Sequence, residues 1–138
     1  MRRPRFRFAV KEDPIQAAVV RIFGYMGRPD VRLVHVPNEL ADTDMKRFRQ
    51  KRLGLWPGCP DLIFLAPIPE PTTFIECKRT GKNIASGSTQ DDARAWCLAS
   101  GHNWALVNDP DQIIPTLERF GLLRLHAVTG GVPCGKDL

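Results

Sequence analysis

Apolar positions between residues 15 and 23 follow the period of a helix. They recur at three- and four-residue spacing, which predicts a helix with one buried face: Ile15, Val19, Ile22 and Phe23. We expect Asp13 to be the N-cap and Pro14 to occupy the first helical position. Two glycines and Pro29 then end the helix.

Four short apolar runs predict strands at residues 31–36, 61–66, 72–78 and 103–107. A proline-rich turn joins the second run to the third, so these two form a hairpin. Helices are expected at residues 44–52, 89–100 and 110–120; Ser88 or Thr89 caps the middle one, and Gly101 ends it. Pro115 lies inside the last helix, which is therefore kinked or begins late. Interleaved helices and strands indicate an α/β layer architecture with a mixed sheet.

Length and charge narrow the class of protein. The chain has 138 residues, enough for one domain, and a formal net charge of +5 with a pI near 9.3. The basic bias favours anionic partners such as nucleic acid, although solvated basic surfaces would look the same. The longest uncharged apolar run lies near residues 62–67, too short to span a bilayer, so we expect a cytoplasmic protein without membrane association. We divide the chain into a basic arm (1–10), one domain (11–123) and a flexible tail (124–138).

Three residues of the hairpin have the chemistry of a catalytic site. Asp61 opens one strand after a loop rich in glycine and proline, and Glu76 and Lys78 lie near the end of the next strand. Alternation in a strand puts Glu76 and Lys78 on one face and turns Cys77 to the apolar face. Alone, such a pair is more often an exposed ion pair at a strand end. Together with Asp61 it becomes a candidate active site.

This arrangement suits metal-assisted hydrolysis of a phosphodiester. The carboxylates of Asp61 and Glu76, with the backbone carbonyl of Cys77, are hard oxygen ligands for Mg²⁺ or Mn²⁺. A metal ion held there would polarise the phosphate and lower the pKa of a bound water. Lys78 would activate that water or stabilise the developing charge.

Six segments, in this order and spacing, resemble the PD-(D/E)XK nuclease superfamily and, within it, a stand-alone VRR-NUC domain. They are Glu12-x-x-x-Gln16, His35-Val36-Pro37-Asn38-Glu39, Gly54-Leu55-Trp56-Pro57-Gly58-Cys59-Pro60-Asp61, Phe74-Ile75-Glu76-Cys77-Lys78, Gly81 and Gln90. The match covers roughly residues 12 to 121. One departure is the loop at 82–87, which is longer than the brief glycine turn of the pattern.

The resemblance implies a restriction-endonuclease-like core with metal ligands at Asp61 and Glu76 and a catalytic lysine at Lys78. It adds Glu12, an acid on the first helix that often joins the site, and Gln90, a polar residue near the phosphate or the lysine. Each has a simpler alternative: Glu12 complements the dipole of its helix, and Gln90 is solvated. Small members of the family resemble homodimeric Holliday junction resolvases, so the resemblance implies a homodimer that cuts branched DNA, from a phage or bacterial setting and with a role in DNA repair.

A basic segment just before the catalytic loop is the expected DNA-binding surface. Its cationic side chains are Lys46, Arg47, Arg49, Lys51 and Arg52. Asn38 is a further candidate for substrate contact, with a role in a turn as the alternative. No motif indicates base readout, so selectivity for DNA structure is expected rather than sequence specificity.

Other conspicuous residues are interpreted structurally. His35 lies between valines in a strand and is expected to be a satisfied histidine of the core or edge. Trp56 is expected to cover the core, with base stacking as the alternative, and Trp96 and Trp104 fit core positions. Two other functions stay open: a module that binds nucleic acid without cutting it, and a protein-interaction subunit that uses the fold as a scaffold.

Overall fold

The computed structural model describes residues 11–37 and 42–124. The basic arm (1–10), Asn38 with Glu39, and nearly all of the expected tail lie outside the described residues. The helices are α1 (Glu12–Met26), α2 (Asp44–Arg52), α3 (Thr89–Ala99) and α4 (Ile113–Arg119), and the strands are β1 (Arg32–His35), β2 (Leu62–Leu65), β3 (Thr73–Cys77) and β4 (Asn103–Val107). No helix in these ranges combines the length and the apolar character needed to cross a bilayer.

The four strands form one mixed sheet in the order β1-β2-β3-β4. β2 pairs antiparallel with β1 and with β3, which confirms the hairpin, and β3 pairs parallel with β4. The parallel crossover through α3 gives the sheet its mixed character, as the interleaved pattern predicted. β3 is therefore an interior strand, and all five of its residues are buried.

The hydrophobic core lies between one face of the sheet and helices α1 and α4. Ile15 and Val19 from α1 are fully buried there, against Leu62 and Phe64 of β2. The Phe23 ring meets the Phe64 ring edge-on, with centroids 5.1 Å apart. The three- and four-residue periodicity in α1 thus predicted the buried face correctly.

Helix α3 and the loop at 54–60 cover the other face of β3 and β4. Ala93 and Cys97 of α3 are buried, and Trp56 packs edge-on against Phe74, with centroids 6.1 Å apart. Trp56 thus covers the core as predicted. The prediction for Trp96 was wrong: its side chain is 52% exposed, since it lies on the edge of the Trp56 ring rather than beneath the helix.

The ends of two helices differ from the prediction. Lys11 is the N-cap of α1, without a side-chain bond, so Asp13 as the cap was wrong. Asp13 instead joins Glu12 in the first turn, where carboxylates complement the helix dipole. α4 begins late, after a short 3-10 turn at Pro110–Gln112, so that Pro115 falls in its first turn, where no intrahelical N–H bond is needed.

Candidate active site

Asp61 lies just before β2, and its side chain binds the backbone of β3 beyond the last residue that pairs with β2. The pairing of the two strands ends with Leu62 opposite Ile75, which leaves the backbone of Cys77 without a strand partner on that side. The Asp61 side chain takes that place, because its Oδ2 accepts a hydrogen bond of 2.8 Å from the Cys77 N–H. A carboxylate is thereby fixed at the point where the two strands separate.

Glu76 and Lys78 are a buried pair and not the exposed pair of a frayed strand end. Glu76 is 2% exposed and Lys78 is 8% exposed. The Lys78 Nζ lies 3.3 Å from Glu76 Oε1. Ile75 and Cys77 point into the core on the opposite face, as strand alternation predicted.

Gln90, from the first turn of α3, is the second polar partner of Glu76. Its Nε2 donates a hydrogen bond of 2.7 Å to Glu76 Oε1, the same oxygen that faces Lys78. The long loop before α3 therefore does not displace Gln90 from the site. Glu76 Oε2 and Asp61 Oδ1 accept no hydrogen bond from the residues that the structure describes.

Burial and mutual repulsion shift the titration of both carboxyl groups. Burial, followed by the charge of Asp61, raises the pKa of Glu76 from 4.5 to about 7, although Lys78 opposes the shift. Burial also raises the pKa of Asp61, opposed by the hydrogen bond from Cys77. Two partly desolvated acids that repel each other form a site where added positive charge is favourable.

The donor set fits a hard divalent cation. The N–H and C=O groups of one residue in a strand point to the same side, so the Cys77 carbonyl lies on the side of Asp61. Within residues 11–37 and 42–124, no three His, Cys, Asp or Glu side chains are close enough to hold a metal by themselves. Ligation would therefore use the carboxylates of Asp61 and Glu76, this carbonyl and water, a set typical of Mg²⁺, which keeps several waters.

An open cleft of about 990 Å³ lies over this group. Asp61 and Glu76 form part of its lining, and Glu12 of α1 lines the same cleft. The charge of Glu12 contributes to the raised pKa of both Asp61 and Glu76. The structure thus brings Glu12 within electrostatic reach of the site, though not into a three-carboxylate cluster. Lys78 is not among the lining residues, and its Nζ lies 3.3 Å from Glu76 Oε1.

Gly58 brings the loop at 54–60 into close contact with the start of α3. Its φ of +78° is in the left-handed region, and a Cβ atom there would lie 2.1 Å from the Thr89 carbonyl oxygen and 2.7 Å from the Gln90 backbone nitrogen. Only glycine lets the loop pass this close to the helix. The contact holds Asp61 and Gln90 in register across the site.

The basic helix α2 has the predicted bounds and lies beside the cleft. Its five cationic side chains are exposed: Lys46, Arg47, Arg49, Lys51 and Arg52. Lys46 and Arg47 form ion pairs with Asp42 and Asp44, at 3.8 and 3.4 Å. Gln50 is the residue of α2 that lines the cleft. The structure thus places the basic residues around the site rather than in it.

Gln16 and His35 line the same cleft. His35 lies on the edge strand β1, as one of the two structural alternatives predicted. His35 is exposed in the cleft, and its Nδ1 lies 2.8 Å from Gln16 Nε2 and 3.3 Å from the Asp61 carbonyl oxygen. For Gln16, the sequence signal of a position in the cleft was the four-residue spacing from Glu12, which puts both side chains on one side of α1.

The comparisons with known proteins give a single kind of likeness. No protein-family model and no curated protein match the chain. Among solved structures, a protein titled "VRR_NUC domain protein" superposes with a TM-score of 0.61 at 20% identity, over 86% of this chain and 99% of the other. At that identity the likeness shows the fold. The chain therefore has the mixed-sheet PD-(D/E)XK type of fold that a VRR_NUC domain protein has.

Proposed function

We propose that this chain is a metal-dependent nuclease of the VRR-NUC family that hydrolyses phosphodiester bonds in DNA. The observation that carries the proposal is the convergence of Asp61 and Glu76, two partly desolvated carboxylates, with the buried Lys78 ammonium 3.3 Å from Glu76 Oε1. A purely structural pair has no need of a second, repelling acid at the rim of a cleft. The shared fold with a VRR_NUC domain protein supports the same function.

Each residue has a distinct task in this proposal. Asp61, Glu76 and the Cys77 carbonyl hold the cation, Mg²⁺ or Mn²⁺, which when bound polarises the phosphate and acidifies a water. The Lys78 ammonium orients the attacking water and offsets the negative charge that develops on the phosphate. Gln90 holds Glu76 Oε1, so that Oε2 is left for the metal.

The surroundings favour a substrate that is recognised by its backbone. The exposed cations of α2 are suited to phosphate contacts, which position a duplex without reading its sequence. We therefore propose branched DNA, including Holliday junctions, as the preferred substrate, and a homodimer as the form that cuts two strands symmetrically. An intracellular role in DNA repair, in a bacterial or phage setting, belongs to the same proposal.

Cleavage of a panel of labelled DNAs tests the activity. The chain is incubated with four-way junction, flap, duplex and single-stranded DNA, each in Mg²⁺, Mn²⁺ or EDTA. We expect metal-dependent cutting, greatest for a branched substrate, and a loss of at least about 100-fold for the Asp61→Asn and Lys78→Ala variants. The Lys82→Ala variant is the matched control, since it removes an exposed lysine four residues from Lys78 and should retain full activity.

Two other results would change the conclusion. Intact DNA binding without cutting of any substrate in Mn²⁺ would refute the enzyme and favour the non-catalytic binding module. Monomers alone in sedimentation, even with junction DNA, would refute the paired cut and leave the site proposal standing.

A further inference from the structure

We propose that His35, held in place by Gln16, contacts the substrate through its Nε2, which donates a hydrogen bond to a phosphate oxygen of the strand to be cut. This inference rests on the proposed function, since it assigns a further residue to the same cleft. It starts from a contact between three segments that are distant in sequence: α1, the end of β1 and the start of β2.

The Nδ1 side of the imidazole is occupied. Gln16 Nε2 lies 2.8 Å from His35 Nδ1, closer than the Asp61 carbonyl oxygen at 3.3 Å. That oxygen already accepts a hydrogen bond of 2.9 Å from the Val36 N–H. The shorter contact makes Nδ1 an acceptor from Gln16, and in a neutral imidazole the proton is then on Nε2.

The Nε2 side is directed away from these partners and is available to a ligand. Within residues 11–37 and 42–124, the His35 side chain has no other hydrogen bond, and this exposed side chain lines the cleft together with Asp61 and Glu12. A satisfied structural histidine would be enclosed, whereas this ring has one nitrogen fixed by the protein and the other open to the cleft.

The tautomer selects the class of ligand. An Nε2–H group is a donor and cannot coordinate a metal through that nitrogen. Acidic side chains already line this part of the cleft, so a nucleic acid strand has to be held by donors that do not compete for the cation. His35 suits that task, because its side chain lines the same cleft as Asp61 and Glu76, along which the phosphates of a bound strand would run.

Two amide substitutions separate this role from simple support of Asp61. An asparagine amide at position 35 reproduces the Nδ1 side of histidine, and a glutamine amide reaches the Nε2 side. The His35→Asn variant keeps the contact with Gln16 or the Asp61 carbonyl and removes the donor in the cleft, and the His35→Gln variant does the reverse. The Val34→Ala variant is the matched control, since Val34 is exposed on the same strand and points to the other face.

Binding and cleavage are measured separately. Fluorescence anisotropy in EDTA gives the Kd for labelled DNA, cleavage in Mn²⁺ gives KM and kcat, and thermal unfolding verifies the fold. We expect the His35→Asn variant to raise Kd and KM about tenfold, the magnitude of one hydrogen bond to a charged group, with kcat within about threefold. The His35→Gln and Val34→Ala variants should stay near the wild-type Kd.

Every other pattern overturns the inference. A wild-type Kd in the His35→Asn variant, with a raised Kd in the His35→Gln variant, would make His35 a positioning residue for Asp61. A wild-type Kd in both variants would show that His35 does not contact the substrate. An equal fall of kcat in both variants, with Kd unchanged, would indicate a chemical role that only an imidazole can fill. If the wild-type chain binds DNA without cutting it, the proposed function fails while the comparison of Kd values still tests His35.

Discussion

The Glu76→Gln substitution should stabilise the metal-free protein at alkaline pH. It keeps the shape of the side chain and removes a charge that folding buries. The pKa of Glu76 is raised from 4.5 to about 7, so the folded state holds the proton more tightly than the unfolded state. The stability that this proton contributes is therefore complete below pH 4.5 and is lost as the pH rises through about 7.

The shift sets the size of the effect. At about 1.4 kcal/mol for each pKa unit, the ionised carboxylate lowers the free energy of unfolding by about 3 kcal/mol above pH 7. The attraction of Lys78 is already included, because it opposes the shift. In EDTA at pH 8, the Glu76→Gln variant should therefore be more stable than the wild type by up to about 3 kcal/mol. The two proteins should converge near pH 4.5.

Urea unfolding between pH 4.5 and pH 8 measures the difference in the free energy of unfolding between wild type and variant, from the shift of the denaturation midpoint at a constant m-value. The control variant is Glu118→Gln, an exposed glutamate on α4 that should change stability little at any pH. Addition of Mn²⁺ at pH 8 should stabilise the wild type and not the Glu76→Gln variant, since a ligand stabilises the state that binds it. Equal pH dependence in wild type and variant would refute the buried, proton-retaining carboxylate.

Two further predictions concern the elements around the site. Gly58→Ala should lower the free energy of unfolding in urea by about 2 kcal/mol or more and also reduce cleavage, because it combines a left-handed backbone with a clash against Thr89. The control Gly81→Ala, with a similar φ of +76° and no neighbour within 4 Å, should cost less. Equal losses of stability in the two variants would show that the clash is not the cause. Replacing Lys51 and Arg52 by glutamine should weaken binding to all DNAs alike and lower the slope of log Kd against log salt by about 0.9 for each phosphate that these side chains neutralise in the wild type; an unchanged slope would place the DNA elsewhere.

The sequence predicted best the features that depend on local periodicity. Strand alternation predicted Glu76 on one face and Cys77 on the other, and the bounds predicted for α2 and β4 agree with the structure. The contacts that complete the site could not be derived locally. The bond from Gln90 to Glu76 depends on how the loop after β3 folds, and the exposure of His35 depends on where α1 crosses the end of β1.

Errors arose where two local signals competed. Asp13 and Pro14 form a good capping pair, yet the chain enters the helix earlier, from Lys11. Trp96 was predicted to fit a core position, although Ala93 and Cys97 occupy the buried positions of α3. For Trp96, tertiary packing rather than the apolar character of the residue decided the outcome.

The two faces of the sheet differ in the substitutions that they can tolerate. The residues that pack against α1 and α4 need only matching volume, so aliphatic side chains can replace one another there over evolutionary time. The few polar groups around Glu76 on the opposite side should tolerate fewer substitutions, because each depends on the position of another. Very different sequences are therefore compatible with this backbone, as the 20% identity at a TM-score of 0.61 illustrates.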